Sequence, residues 1–371
     1  MKDYHKILIV SNMIPDKKHP SYGVFVKNFI EQMEHLHLPF DVSAMYMSDG
    51  KLSKLLGYIR FYIKTYKSIL SGKYDLVYVH YPSFSFIPVN AARLVRRFDI
   101  MTNLHGSDVI PLKRIHKIMN LNTAAAVKKS VKVVVPSEYY KSVVVKKYGI
   151  SQNRICVYPS AGIDTDVFHP LPEDGLQKLR EEYGIDKDSF VIGFAGRLVT
   201  TKGWKVLLRA LVRSDKLKNI GFRVIIAGDG DDGDKLDNAI EKMPAYIREN
   251  IIRYPFLDQK KLAEVYNLMD VLAFPTLAKS ESLGLVALEA MTTGVPVISS
   301  DIAAPAYYIK DGVNGYKFEV GNADRLAECI DRCISDSEKY KSLKTGALDT
   351  AQKYSSTEAE NILGKLFIPG R

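Results

Sequence analysis

A chain of 371 residues with 46% hydrophobic, 25% charged and 10% aromatic content can bury two cores of ordinary size, which excludes a disordered chain. Three cysteines exclude a disulfide framework, and Cys329 and Cys333, one helical turn apart with no nearby His or second Cys pair, do not make a metal site. The net charge of +10 is uneven: residues 1–165 hold 24 Lys and Arg against 11 Asp and Glu, so the first half calls for an anionic partner, nucleic acid or membrane.

The opening segment MKDYHKILIVSNMIPD has an apolar run too short for a secretory signal. No run of about 20 apolar residues follows, so a cytoplasmic protein is expected. Short β-branched runs then recur, each followed by a longer amphipathic segment. In the first half they are 6–10, 41–46, 75–80, 100–104, 131–135 and 155–158. In the second they are 190–194, 222–227, 250–254, 271–274 and 295–299. Strands alternating with helices predict two parallel sheets covered on both faces. Residues 159–175, rich in Pro, Gly and Asp, read as the linker. The expectation is an α/β protein of two doubly wound domains, 1–165 and 166–351, facing a deep cleft. Residues 352–371 would form a helix capped at its Ser/Thr start.

Ligands of open α/β sheets sit off the carboxyl ends of strands, so the residues that follow the strands matter most. Gly23 precedes a helix after the first strand, without the G-x-G-x-x-G of dinucleotide binding. KLSKLLGYIRFYIKTYKSIL (51–70) projects onto a helix with Leu52, Leu55, Leu56, Ile59, Tyr62, Ile63, Tyr66 and Leu70 on one face and Arg60, Lys64 and Lys67 along its edge. Packing on the sheet would account for the apolar face. The cations there, and in LVRRF, PLKRIHKIM and VKKSVK, suit an anionic membrane. No nucleic-acid motif or stacking platform appears.

His105, in HGSD after the fourth strand, reads either as a capping or core residue or as a side chain reaching the cleft. After strand 190–194 come Arg197 and Lys202, solvated surface cations or, with the free N–H groups of a helix start, a diphosphate site. GDGDDG (228–233) is too acidic for a diphosphate. After strand 271–274, Gly284 permits close approach of backbone to ligand and a helix begins near Leu285. Glu281 precedes that glycine. Glu289, about one turn into the helix, could accept both hydroxyls of a ribose or could be solvent-face decoration.

Taken together, Glu281-x7-Glu289 with the following Ala-Met, the Gly-x-Pro-Val-Ile of 294–298, the upstream Arg-x4-Lys, HGSD and the two-domain rhythm resemble the retaining GT-B glycosyltransferases of glycosyltransferase family 4. The resemblance covers nearly the whole chain and is densest over 190–320. It implies a nucleotide-sugar donor, expected to be a UDP-sugar, and no metal or other cofactor. Arg197 and Lys202 would bind the diphosphate, and Glu289 the ribose. Glu281 would contact the transferred sugar. The backbone of Gly284 and Leu285 would meet phosphate, with Gly23 approaching from the other domain. His105 would lie near the sugar's 6-position, Leu257 would meet the base, and the last helix would cross back to the first domain. Ser282 and Leu283, counted with the donor-binding residues, stand where the family often has Gly-Phe. Ala303 and Ala304 stand where it often has two glycines. The acceptor implied is a glycan or lipid-linked saccharide in surface-polysaccharide assembly, with the protein peripheral on the inner face of the cytoplasmic membrane. A UDP-sugar 2-epimerase of the same two-domain fold, a soluble small-molecule glycosyltransferase, a retaining two-carboxylate hydrolase and a noncatalytic nucleotide-sugar binder are the other readings. A hydrolase would leave the diphosphate site without use.

Overall fold

The computed structural model describes residues 4–19, 22–111 and 114–368 and divides the chain into two compact units, 1–162 with 357–371, and 163–356. Each boundary therefore falls within a few residues of the sequence-based one. Leu112 and Lys113, in the basic segment PLKRIHKIM, lie outside the described residues.

The first unit runs β1 (Ile7–Ile14), α1 (Val24–His35), β2 (Phe40–Tyr46), α2 (Lys51–Leu70), β3 (Leu76–His80), α3 (Pro82–Ala92), β4 (Asp99–Asn103), α4 (Arg114–Lys129), β5 (Lys132–Val135), α5 (Glu138–Tyr148) and β6 (Ile155–Val157). Its six strands are all parallel, in the order β2-β1-β3-β4-β5-β6. The period-2 geometry of a strand seeds two cores. Ile7 and Ile9 of β1 join one with Phe29 and Met33, while Leu8 and Val10 join the other with Phe61 and Phe86.

The second unit runs α6 (Glu173–Glu182), β7 (Phe190–Ala195), α7 (Trp204–Arg213), β8 (Phe222–Ala227), α8 (Gly233–Ile240), α9 (Ala245–Arg248), β9 (Ile251–Tyr254), α10 (Gln259–Leu268), β10 (Val271–Phe274), α11 (Leu285–Thr292), β11 (Val297–Ser300), α12 (Pro305–Tyr308), β12 (Gly315–Phe318), α13 (Ala323–Ser335) and α14 (Ser337–Gln352). Its sheet, also all parallel, is ordered β12-β11-β10-β7-β8-β9. All eleven expected strands are present. The twelfth, Gly-Tyr-Lys-Phe of β12, escapes a pattern search because four residues opening on glycine carry almost no periodicity.

The last helix, α15 (Ser356–Phe367), returns to the first unit. Its Ala359, Leu363, Leu366 and Phe367 are buried among Ile7, Phe29 and Tyr78.

Helix α2 forms over 51–70 as expected, but of the ridge assigned to the sheet only Tyr62 and Tyr66 pack against the core. Thr65 bonds Ser43 of β2 at 2.8 Å, and Phe61 and Ile69 are buried beside it. With Phe61, Thr65 and Ile69 inward, Leu52 (70% exposed), Leu55 (57%), Leu56, Ile59 and Ile63 face solvent. Ile118 (65%) and Leu121 (74%) of α4 are exposed as well. Neither helix contains an acidic residue. Among the described residues, no helix is long and apolar enough to cross a membrane.

Candidate functional site

The expected site residues fall into two groups, one in each unit. In the first unit, Gly23 caps α1 with φ +83°, and a Cβ there would stand 3.0 Å from the carbonyl carbon of Met13. Glycine is required because the start of α1 lies against the backbone leaving β1.

His80 ends β3, and His105 follows β4, the neighbouring strand. Adjacent strand ends thus bring the two rings together. His80 Nδ1 is 3.1 Å from His105 Nε2, and the rings stack at 5.3 Å. Phe25 lies 4.1 Å from the His105 ring, and Phe29 meets His80 edge-on at 4.7 Å. The HGSD turn is closed by Asp108, whose carboxylate accepts the N–H groups of His105 at 3.0 Å and Gly106 at 2.7 Å. Burial nevertheless pushes Asp108 up to about 6. Loss of hydration pulls the His105 imidazole down to about 3, and His80 well below its ordinary value. Both rings are therefore neutral at physiological pH.

In the second unit, β7 leads to Arg197, then a 3-10 turn over 200–202, and then Gly203 at the start of α7. Gly203 has φ +76°, and a Cβ would meet Pro275 O at 1.8 Å. Leu277 N–H donates to Thr201 O at 2.8 Å, so the turn is fastened to the segment after β10. This docking delivers Lys202 to Glu281, Nζ to Oε2 at 2.5 Å, with the ammonium 5.5 Å over the Phe274 ring. Arg197 turns outward instead. It is 69% exposed and pairs at 3.6 Å with a still more exposed Asp231, a contact worth little in solvent.

Gly284 caps α11 at φ +80°, and a Cβ there would meet the Tyr308 hydroxyl at 2.9 Å. Tyr308 OH donates to Gly284 O at 3.3 Å, and Ala304 N–H donates to Glu281 O at 3.3 Å. The loop between the two glutamates is thus held against the 303–308 segment. Ala303 is itself left-handed, at φ 58°. Leu285 opens the helix and is exposed, and Ser282 is half-buried. The Leu283 side chain is 2% exposed and sits in the core, so only its backbone can meet a ligand. Leu257 lies between β9 and α10, half-buried against the same core.

Glu289 keeps partial solvent access yet loses enough hydration that its carboxyl rises to about 7. The Tyr266 hydroxyl of α10 donates to it at 2.9 Å and pulls it partly back. Among the described residues no group of three His, Cys, Asp or Glu is placed to hold a metal ion.

Three neighbours escaped the sequence reading. Tyr266 and His80 carry no local signal, since only the fold brings them to Glu289 and His105. Asp232 of GDGDDG does not face a ligand. It takes hydrogen bonds from Thr200 at 2.6 Å, Trp204 Nε1 at 3.3 Å and Lys235 at 2.6 Å, and these hold its carboxyl down to about 2. It anchors the turn that carries Lys202.

The two groups occupy sections of the chain matched by two family models, Glycosyltransferase Family 4 over residues 32–167 and Glycosyl transferases group 1 over 176–349. An uncharacterized 41.2 kDa protein in the cps region of Klebsiella pneumoniae is 28% identical over 275 residues, 71% of each chain. A D-inositol 3-phosphate glycosyltransferase of Xylanimonas cellulosilytica is 30% identical over 58% of this chain, which spans about half (51%) of that relative's length. Among solved structures, HepE of Anabaena in complex with UDP and glucose superposes with a TM-score of 0.75 at 20% identity, covering 98% of this chain and 99% of that one, a likeness of fold. With family models over both units, and E-x7-E set around a glycine-capped helix, this chain belongs to the group 1 glycosyltransferases of glycosyltransferase family 4.

Proposed function

We propose that the protein transfers a sugar from a nucleoside diphosphate, a UDP-sugar first, to a hydroxyl of a glycan or lipid-linked acceptor with retention of anomeric configuration. The observation that carries this is the 2.5 Å contact of Lys202 with Glu281 beside the glycine-capped start of α11 and the half-hidden Glu289. A diphosphate arriving there would share the Lys202 ammonium and meet the first N–H groups of α11. Arg197, held only by an exposed partner, is free to swing onto it. These groups stabilise the leaving diphosphate in this reading, with no metal required. Glu289 would take the ribose hydroxyls and Glu281 those of the sugar. The anomeric carbon breaks its bond to the phosphate oxygen and forms one to the acceptor oxygen on the same face. The leaving phosphate oxygen takes the acceptor's proton. Positioning and charge stabilisation then supply most of the rate.

A panel of UDP- and GDP-sugars, read by thermal shift and donor turnover, tests the assignment. Lys202→Ala should cut turnover at least tenfold with the fold intact, the size of one lost charged hydrogen bond. A wild-type rate in that variant overturns it. A product that is an epimerised nucleotide sugar, formed without acceptor, would favour the epimerase instead.

The outward ridge of α2 supports a lipid-linked acceptor at the inner face of the membrane. Apolar Leu55, Ile59 and Ile63 alternate with Lys54, Arg60 and Lys64, with no acid to repel anionic headgroups. Flotation with phosphatidylglycerol vesicles should recover the protein at low salt and lose it at high salt. Leu55→Glu with Ile59→Glu should weaken binding by about tenfold or more, since two apolar anchors become like charges to the lipid. Salt-insensitive binding, or none, refutes the membrane part alone.

A further inference from the structure

The geometry points to His80 as a positioning residue that donates Nδ1–H to His105 Nε2, fixing His105 in the tautomer that presents an Nδ1–H donor to a ligand at the end of β4.

A neutral imidazole has one N–H and one lone pair, so only one ring of the pair can donate at their 3.1 Å contact. Suppose His105 donated. His80 would then carry its proton on Nε2, an atom that is buried without a partner among the described residues. An orphaned buried N–H loses its hydration with nothing in return, and the Phe29 ring edge-on at 4.7 Å is a poor substitute. The opposite arrangement leaves only a bare lone pair at His80 Nε2, the less costly orphan. His80 is thus the donor and His105 Nε2 the acceptor.

The proton of a neutral His105 must then sit on Nδ1. That atom is not among the buried unpartnered ones and takes no hydrogen bond from the described residues, so it keeps contact with solvent. The His105 backbone N–H is already committed to Asp108, which holds the residue in place from the other side. Phe25 covers the ring at 4.1 Å and limits its rotation. His105 therefore offers a hydrogen to a ligand oxygen and is not a base awaiting one. This is the tautomer that free imidazole side chains disfavour in water, so the fold must impose it.

The inference deepens the sugar-transfer reading, but its first test does not depend on it. Whole protein labelled with ¹⁵N-histidine, one of eight histidines assigned by His105→Gln, is examined by two-bond ¹H–¹⁵N correlation at neutral pH. Both rings are expected as Nδ1–H tautomers, and an Nε2–H pattern on His105 overturns the inference. In His80→Leu, His105 should revert to Nε2–H; if it stays Nδ1–H, His80 does not set it. In His80→Asn the amide N–H replaces Nδ1–H and should preserve the His105 pattern, which keeps the test decisive if the leucine variant fails to fold. With an active donor, His80→Leu should lower kcat by about tenfold, one misplaced hydrogen bond, and the asparagine should restore part of it. Loss confined to the acceptor KM would count against it. Wild-type protein inactive on every donor would sink the transfer reading and leave the tautomer assignment standing.

Discussion

Glu289→Gln should raise the melting temperature by about 5 °C at pH 8, leave it unchanged near pH 4, and cut sugar transfer at least tenfold. The carboxyl ordinarily titrates at 4.5 and is raised to about 7 here, chiefly by lost hydration. Below 4.5 both folded and unfolded chains hold the proton and nothing is lost. Between 4.5 and 7 the unfolded chain releases it first, so the folded state binds more protons and stability falls as pH rises. Above 7 the penalty is complete, roughly 3 kcal/mol for a carboxyl moved from 4.5 to about 7. Glutamine removes it while still accepting from Tyr266. The gain is expected because a carboxylate kept half-hidden has a use: a diol that donates to it would lower its pKa again. Donor affinity should therefore strengthen as pH rises through 7 in the wild type and stay flat in the variant. Equal melting temperatures at pH 8 would show that Glu289 is an ordinary solvated acid.

Gly203→Ala should destabilise the protein by about 3 kcal/mol or more and cost as much transfer activity as losing Lys202. Its Cβ would stand 1.8 Å from Pro275 O, a backbone atom with no flexible end to yield, in a left-handed conformation that alanine disfavours. The control is Gly184→Ala. Gly184 is also left-handed, at φ +62°, but faces open space, so that substitution should cost only about 1 kcal/mol. Urea unfolding of both variants separates backbone strain from collision. Similar losses at the two positions would mean that the turn does not sit against Pro275 as described.

How much was legible in advance follows from what each feature depends on. Eleven strands announced themselves because β-branched runs are local, and Glu281, Gly284 and Glu289 could be placed because they lie within one loop and one helix. The face of α2 could not. The inward face is the shorter one, Phe61, Thr65 and Ile69, with Thr65 bonded to Ser43, and the more apolar ridge is left outside. Leu283 reads as a pocket residue by position, but its side chain is buried in the core of the second unit. Tyr266 and His80 are visible only once strand and helix neighbours are known. Arg197 and Lys202 look equivalent in the sequence. The Asp232 anchor fixes the turn of one, while the other extends past it into solvent.

The return of α15 to the first unit has a consequence for synthesis. Ribosomes deliver the amino end first, yet Leu363, Leu366 and Phe367 belong to the core formed by Ile7, Phe29 and Tyr78. That core stays open along one side of its sheet while all of residues 163–356 are made. At roughly 5–20 residues per second, the wait is on the order of ten seconds or more. The unit begun first is completed last, and a nascent chain stalled between residues 162 and 356 exposes an apolar groove that the folded protein covers with α15.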